Sequence, residues 1–113
     1  MGKSQRVKGH NFEREIAKII RDIYPEAKRG LQYQSGKHCP DVVGTPFAIE
    51  CKKGKCTYPK KALEQAIKDK LARNDNVLIP IAVTKDDFKD TLVTMLFNDF
   101  LKIISIAKRE KNE

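Results

Sequence analysis

The chain has 113 residues, of which 40% are hydrophobic and 34% are charged. This length allows one compact domain with a modest core, so we expect a single domain over residues 1–113 with flexible tails at 1–7 and 109–113. The sequence contains no apolar run of membrane-spanning length, and its first residues lack the apolar centre of a secretory signal. We therefore expect a cytoplasmic protein without a membrane partner.

The net charge of +8 is distributed unevenly. Residues 1–76 hold 17 Lys and Arg against 9 Asp and Glu, which gives +8, whereas residues 77–113 hold 6 of each and are neutral. A basic field on one part of a protein favours a polyanionic partner, because each neutralised phosphate releases counterions. The alternative interpretation is a solvated basic surface that keeps the protein soluble.

The first predicted element is a helix over residues 8–24, which Pro25 should end. Its apolar residues recur every three or four positions, which is the spacing of one helix face. They are Phe12, Ile16, Ile19, Ile20 and Ile23. Glu13 should lie near the border of this apolar stripe.

Residues 26–38 combine a short strand pattern with two glycines, which predicts a strand followed by a loop.

Two short strand patterns come next, "DVVG" at residues 41–44 and "FAIECK" at residues 47–52. The residues between them, Thr45 and Pro46, follow a glycine and favour a tight turn, so the strands should pair as a hairpin. Side chains alternate between the two faces of a strand. The core face should carry Val42, Phe47, Ile49 and Cys51, with Cys51 as a small buried residue.

The same alternation directs the side chains of Glu50 and Lys52 to the opposite face. If the hairpin forms, Asp41 lies beside Glu50, so that two carboxylates and an ammonium converge. Oxygen ligands of this kind suit Mg²⁺. The alternative is an exposed cross-strand ion pair, which would contribute only about 0.2–1 kcal/mol.

The remaining pattern alternates helices and strands. Residues 57–75 should form a helix with Pro59 in its first turn. Residues 76–84 are a β-branched run typical of a strand covered on both faces, with Pro80 near an edge or a bulge. Residues 90–97 should form a further strand, and residues 98–113 a helix capped by Asn98 or Asp99. The order predicts an α/β fold with a mixed central β-sheet flanked by helices.

The arrangement of Pro40-Asp41 and Glu50-x-Lys52 on one hairpin, after a helix that carries an acid, resembles the PD-(D/E)XK nuclease superfamily. That resemblance implies the restriction-endonuclease-like fold of this superfamily. It also implies a Mg²⁺-dependent endonuclease, with Mn²⁺ as a substitute and no small-molecule cofactor.

The segment "KGHNFERE" at residues 8–15, together with Arg29 and the Ser35-Gly36 loop, is similar to the Holliday junction resolvases of archaea and their phage relatives. The resemblance covers residues 8–73 and implies cleavage of four-way DNA junctions. Such an enzyme would act in recombination and repair, in an archaeal, bacterial or phage-infected cell.

Carried over by position, the resemblance implies that Asp41 and Glu50 bind the metal, with the Cys51 carbonyl oxygen and Glu13 as further ligands. Lys52 would orient or activate the attacking water, and Glu13 would complete the catalytic set. Gln65 is similar to a glutamine that related nucleases place against the active site. The expected DNA contacts are Lys8, Arg14, Arg29, Ser35, Lys37, Lys53, Lys55, Lys60 and Lys61.

A four-way junction has two-fold symmetry and must be cut on two strands, so one site per chain implies a homodimer. Its interface should include the apolar residues of "LVTMLF" at 92–97 and "FLKIISIA" at 100–107. Two other functions remain open from the sequence: a restriction- or repair-type nuclease for ordinary duplex, and a non-catalytic DNA-binding module of the same fold.

Other titratable residues give weaker alternatives. The three cysteines contain no C-x-x-C pair, so a zinc site formed by them with His38 has no common spacing. His10 and His38 are candidate general bases, but neither is spaced from another residue in a way that indicates a catalytic pair. We expect both histidines at the surface or in contact with DNA.

Overall fold

The computed structural model describes the backbone of residues 2–31 and 38–112, and the side chains of residues 9–31 and 38–111. Within these residues, a five-stranded open sheet has the order β1-β2-β3-β4-β5 and is flanked by helices. The predicted α/β class with a mixed sheet is confirmed, because β3 and β4 are parallel and the other neighbouring strands are antiparallel. The elements are α1 (Gly2–Ile20), β1 (Lys28–Arg29), β2 (Val42–Val43), β3 (Phe47–Gly54), α2 (Pro59–Ala72), β4 (Ile79–Asp86), β5 (Thr91–Met95) and α3 (Phe97–Asn112).

The predicted hairpin of β2 and β3 is present, with Val42 opposite Ile49. Gly44 in its turn has φ = 87°, a left-handed conformation that costs glycine little because it lacks a Cβ. A Cβ at this position would also overlap the carbonyl oxygen of Glu26. The turn therefore requires glycine for two reasons, backbone conformation and space.

The core on one face of the sheet forms between α1 and strands β2, β3 and β4. The predicted inward residues of the hairpin belong to this core, which confirms the alternation. Its buried members are Phe12, Ile16, Ala17, Val42, Ile49, Cys51, Ile81 and Val83.

The predicted apolar stripe of α1 is partly wrong. Ile19 and Ile23 are 60% and 76% exposed, whereas Ala17 is fully buried. The helix ends at Ile20, before the expected stop at Pro25, and begins at Gly2, so residues 2–7 have a helical backbone where the sequence predicts a tail. At 100° per residue, the buried side of α1 is rotated away from Ile19 and toward Glu13. Glu13 consequently lies on the inward side of the helix.

Helix α2 covers the other face of the sheet. Ala62 and Leu63 pack with Ala82 of β4, and Ala66 is also buried. Pro59 occupies the first turn as predicted. Leu71 recurs at helical spacing with these apolar residues but is 69% exposed, because it lies at the last turn, beyond this contact.

Pro80 lies within the interior strand β4, which corrects the prediction of an edge or a bulge. Ile79 donates its N–H to the Pro46 carbonyl oxygen at 3.0 Å, on the β3 side. The nitrogen of the next residue therefore faces the β5 side, where pairing starts only at Ile81. The missing N–H of Pro80 thus removes no sheet hydrogen bond.

Strand β5 and helix α3 form the C-terminal end of the fold. The predicted cap at Asn98 or Asp99 is wrong, because α3 begins at Phe97 and both residues lie inside its first turn. Asp99 is 9% exposed, and an acid is favourable at this position of a helix. The helix continues to Asn112, through most of the segment predicted as a tail.

Many apolar side chains at the C-terminal end of the fold are exposed, with exposed fractions from 42% to 70%, although several are bulky residues of the kind usually buried. They are Leu92, Val93, Leu96, Phe97, Phe100, Leu101, Ile104 and Ile106. Four of them recur at the spacing of one side of α3, and we call these four the C-terminal apolar face: Phe97, Phe100, Leu101 and Ile104. Across the described parts of the chain, each helix is too short or too polar to cross a bilayer.

The core can be tested at the hairpin. Ile49→Ala removes a side chain that is 1% exposed, so we expect the free energy of unfolding to fall by about 2–5 kcal/mol. Leu71→Ala, at 69% exposed, should change it by no more than about 0.5 kcal/mol. Urea denaturation measures both values. Equal losses for the two variants would contradict the assignment of the core.

Candidate active site

Asp41 is fixed by hydrogen bonds to strands on both sides. Its N–H donates to the Ile49 carbonyl oxygen, and its Oδ2 accepts from the N–H of Cys51, each at 2.8 Å. On the other side, Gly30 donates its N–H to the Asp41 carbonyl oxygen at 2.8 Å. A Cβ at Gly30 would overlap the Pro40 carbonyl oxygen, so glycine allows this close approach. The Asp41 carboxylate is therefore tied directly to β3.

Glu50 and Lys52 share the α2 side of β3, as the strand period predicts. The Lys52 Nζ lies 3.6 Å from the Glu50 Oε1. The two side chains differ in burial, since that of Glu50 is 11% exposed and that of Lys52 is 56% exposed. The carboxylate thus lies inside the site while the ammonium reaches toward solvent.

Burial and the charges of neighbouring carboxylates raise the pKa values of the two hairpin carboxyls. Burial is the largest cause of a rise in the pKa of Asp41 from 3.8 to about 7, and the charge of Glu50 adds to it. Burial also raises the pKa of Glu50, although Lys52 acts in the opposite direction. Near neutral pH, the fully ionised pair is therefore an unfavourable state that a bound cation would relieve.

Glu13 approaches this pair from α1. Its charge contributes to the raised pKa of both Asp41 and Glu50, which indicates that the three carboxyls share one electrostatic environment. Its Oε2 accepts a hydrogen bond from Nε of Arg29 at 2.8 Å. Arg29, a predicted DNA contact, therefore also forms an ion pair inside the cluster.

Cys51 lies between the two ligand candidates in sequence but points to the opposite face. Its side chain is 7% exposed in the α1 core, as predicted. Burial raises the pKa of its thiol, which disfavours the reactive thiolate. Only its backbone belongs to the candidate site.

A fourth carboxylate, Asp69 of α2, was not predicted. It is 9% exposed, and its charge raises the pKa of Glu50. Its Oδ1 lies 2.8 Å from Nδ1 of His38 and accepts a hydrogen bond from Nε2 of Gln65 at 2.9 Å. The sequence could have indicated a buried position for Asp69 through its spacing, seven residues after Ala62 and three after Ala66, on the buried side of α2. His38, expected at the surface or in contact with DNA, has a side chain that is 36% exposed and is paired with this acid.

A cavity of about 560 Å³ lies between β3 and α2, and we call it the β3–α2 cavity. Glu50 and Lys52 line it, which connects it to the acidic cluster. Five predicted site residues therefore meet here, because Lys53, Lys61 and Gln65 join Glu50 and Lys52 along its wall. Its other lining residues are Gly54, Cys56, Thr57, Tyr58, Ala62 and Asp69.

The other predicted DNA contacts are spread around this region. Arg14 is exposed and donates to Asn11 Oδ1 at 3.1 Å, while the Lys53 Nζ lies 5.9 Å from the centre of the Phe12 ring. Lys55 and Lys60 are exposed. Ser35 and Lys37, and the side chain of Lys8, lie outside the described residues.

The donor set fits a hard divalent cation. Asp41, Glu50 and the Cys51 carbonyl supply oxygen, which Mg²⁺ prefers, and Mg²⁺ usually keeps several water ligands. No group of three or more His, Cys, Asp or Glu side chains among residues 9–31 and 38–111 has metal-binding geometry. The alternative zinc site has no support there either, since Cys39 and Cys51 are buried while Cys56 is exposed.

Comparison of the chain with known proteins found no match. No family model matches the chain, and neither a curated protein nor a solved structure matches it. A function is therefore proposed from the residues and geometry described above, together with the sequence resemblance.

The raised pKa of Asp41 makes stability depend on pH. In the folded state this carboxyl has a pKa of about 7 against 3.8 when unfolded, so wild-type stability should fall as pH rises between these values. Asp41→Asn removes that loss. Above pH 7, in metal-free buffer, we expect the variant to be more stable by about 2–4 kcal/mol, with no difference below pH 4.

Urea denaturation at pH 4 and pH 8 measures this difference, with Asp22→Asn at an exposed position as the control. The control should match the wild type at both pH values. An Asp41→Asn variant that is less stable than the wild type at pH 8 would contradict the proposed burial cost.

Proposed function

We propose that this protein is a metal-dependent, structure-selective DNA endonuclease of the PD-(D/E)XK type that cleaves Holliday junctions. One observation carries the proposal: the hydrogen bond from the Cys51 N–H to Asp41 Oδ2 holds this carboxylate against β3, next to Glu50 and Lys52. These residues lie beside the β3–α2 cavity, whose lining includes lysines. A buried pair of carboxylates costs stability, so its presence favours a functional role. The four-way junction as substrate rests on the sequence resemblance.

Asp41, Glu50 and the Cys51 carbonyl would hold Mg²⁺, and Mn²⁺ would replace it. When bound, the ion supplies positive charge that polarises a phosphodiester and makes water more acidic. Lys52 supplies a second positive charge from a side chain that is 56% exposed and anchored by Glu50. Its ammonium can orient the attacking water and offset the negative charge that develops on the phosphate.

Glu13 and Arg29 support the site from the α1 side. The ion pair at 2.8 Å holds both side chains in place, and both are largely buried. The structure does not place Glu13 with Asp41 and Glu50 as a third carboxylate ligand, because its Oε2 is paired with Arg29 and the three side chains lack metal-binding geometry. Glu13 acts through the shared electrostatic environment. The other N–H groups of the Arg29 guanidinium can donate hydrogen bonds to a nearby DNA phosphate.

The charge distribution supports a DNA partner. The excess of +8 belongs to residues 1–76, which also contain the acidic cluster and the lysines of the cavity. A substrate phosphate near the buried carboxylates would be repelled without these cations. The basic residues thus offset the local charge that the chemistry requires.

We further propose that the active form is a homodimer that buries the C-terminal apolar face. Strand β5 is an edge strand, and an edge strand can pair with its own copy around a two-fold axis. Residues 77–113 are neutral, so two copies meet there without the repulsion that their basic portions would create. Leu101 and Ile104, at 42% and 44% exposed, provide apolar contacts on α3.

The catalytic proposal is tested by strand cleavage of a synthetic four-way junction and of linear duplexes with the same sequences, with Mg²⁺ or Mn²⁺. Asp41→Asn and Glu50→Gln should each slow junction cleavage by about 10²–10³-fold or more, because each removes a ligand charge. Junction affinity should be retained, since both changes make the protein more positive.

Glu64→Gln, at an exposed position of α2, is the matched control and should cleave like the wild type. Wild-type cutting by either hairpin variant would refute the nuclease assignment. Equal cleavage of junction and duplex would favour a duplex nuclease, and EDTA-resistant binding without any cleavage would favour a DNA-binding module.

The dimer is tested by sedimentation at micromolar concentration. We expect the wild type to sediment as a dimer and the double variant Leu101→Glu, Ile104→Glu as a monomer, because the new charges would be buried in the interface. Lys108→Glu changes charge at an exposed position of the same helix and should remain dimeric. A monomeric wild type would refute this assembly.

A further inference from the structure

The β3–α2 cavity is larger than the proposed phosphodiester chemistry requires. Its volume of about 560 Å³ falls within the roughly 300–1,000 Å³ of pockets that enclose a whole organic ligand. One hydrated cation and one phosphate group would occupy only the end that Glu50 and Lys52 line. The space that extends along α2 toward Tyr58 and Asp69 remains for another group of the substrate.

The two sides of this cavity differ in charge. The exposed side carries Lys52, Lys61 and Tyr58, and the Tyr58 side chain is 62% exposed, with the Lys61 Nζ 5.3 Å from its ring centre. The buried side carries Glu50 and Asp69, each 9% exposed. A ligand that fits both sides has an anionic group at the exterior and a neutral, hydrogen-bonding group inside.

The hydrogen bonds of Asp69 show which polar atoms of this part of the lining already have a partner. Its Oδ1 accepts from Nε2 of Gln65 at 2.9 Å, and a carboxylate can only accept, so the Gln65 amide nitrogen is the atom turned toward it. Within the described residues, Oε1 of Gln65 and Oδ2 of Asp69 receive no hydrogen bond. Both are acceptors, so they complement N–H groups of a ligand.

We propose that the β3–α2 cavity receives one unstacked nucleobase of the nucleotide next to the scissile phosphate. The proposal rests on the nuclease function proposed above. A nucleobase is uncharged and carries N–H donors for Gln65 and Asp69, whereas the carboxylates repel a phosphate from the same position. The phosphate stays with Lys52 and Lys61, and the Tyr58 ring offers a face on which a base can stack.

This arrangement gives a physical origin for structure selectivity. A base inside a regular duplex is stacked and paired, so it enters a pocket only after it has been unstacked and unpaired. That cost is smaller at a branch point or another locally distorted position. The cavity would therefore select DNA in which the nucleotide at the cleavage position is easily displaced.

The test uses a four-way junction with 2-aminopurine next to the scissile phosphate, bound to the protein in Ca²⁺. Displacement of the base from the stack should raise its fluorescence several-fold. The same probe in the middle of one arm should not change. Tyr58→Ala should lower affinity for the junction by roughly tenfold through lost stacking, whereas Tyr58→Phe should retain it.

Gln65→Ala should also reduce the fluorescence rise, while the exposed neighbour Glu64→Gln should behave as wild type. An abasic nucleotide at the probe position should weaken binding by roughly the same tenfold factor and make the Tyr58→Ala change neutral, because no base remains to stack. Binding and cleavage by the wild type with unchanged fluorescence would overturn this inference and leave the nuclease proposal standing. A wild type that neither binds nor cuts DNA would remove both.

Discussion

The pairing of β2 with β3 across a tight turn is the constraint on which the candidate site depends. The turn needs Gly44 in a left-handed conformation, and the hydrogen bond from Cys51 N–H to Asp41 Oδ2 then fixes the first carboxylate against the strand of the second. The strand period separates the two roles of β3. Ile49 packs in the core while Glu50 faces α2.

The carboxylates that meet there are electrostatically unfavourable in the free protein. Burial raises the pKa of Asp41, Glu50 raises it further, and Asp69 has the same effect on Glu50 from the side of α2. Arg29 and Lys52 offset part of this charge. An arrangement that lowers stability at neutral pH is a common mark of a binding or catalytic site, and the divalent cation that we propose would reverse the cost.

Local patterns predicted the hairpin, the alternation on β3 and the position of Pro59, because each depends on a few neighbouring residues. The exposure of Ile19 and the interior position of Pro80 were not predictable, since they depend on how α1 and β5 dock. Asp69 was missed for a different reason. Its role arises from a hydrogen bond with His38 and from the effect of its charge on Glu50, and both residues are distant in sequence.

Isothermal titration of the metal-free protein with MnCl₂ at pH 7, in two buffers of different ionisation enthalpy, tests the central claim most directly. We predict saturable binding with proton release, because a carboxyl with a pKa of about 7 must lose its proton to bind the ion. The double variant Asp41→Asn, Glu50→Gln should not bind. Binding of equal strength by this variant, or none by the wild type, would contradict a divalent cation site on the β2–β3 hairpin.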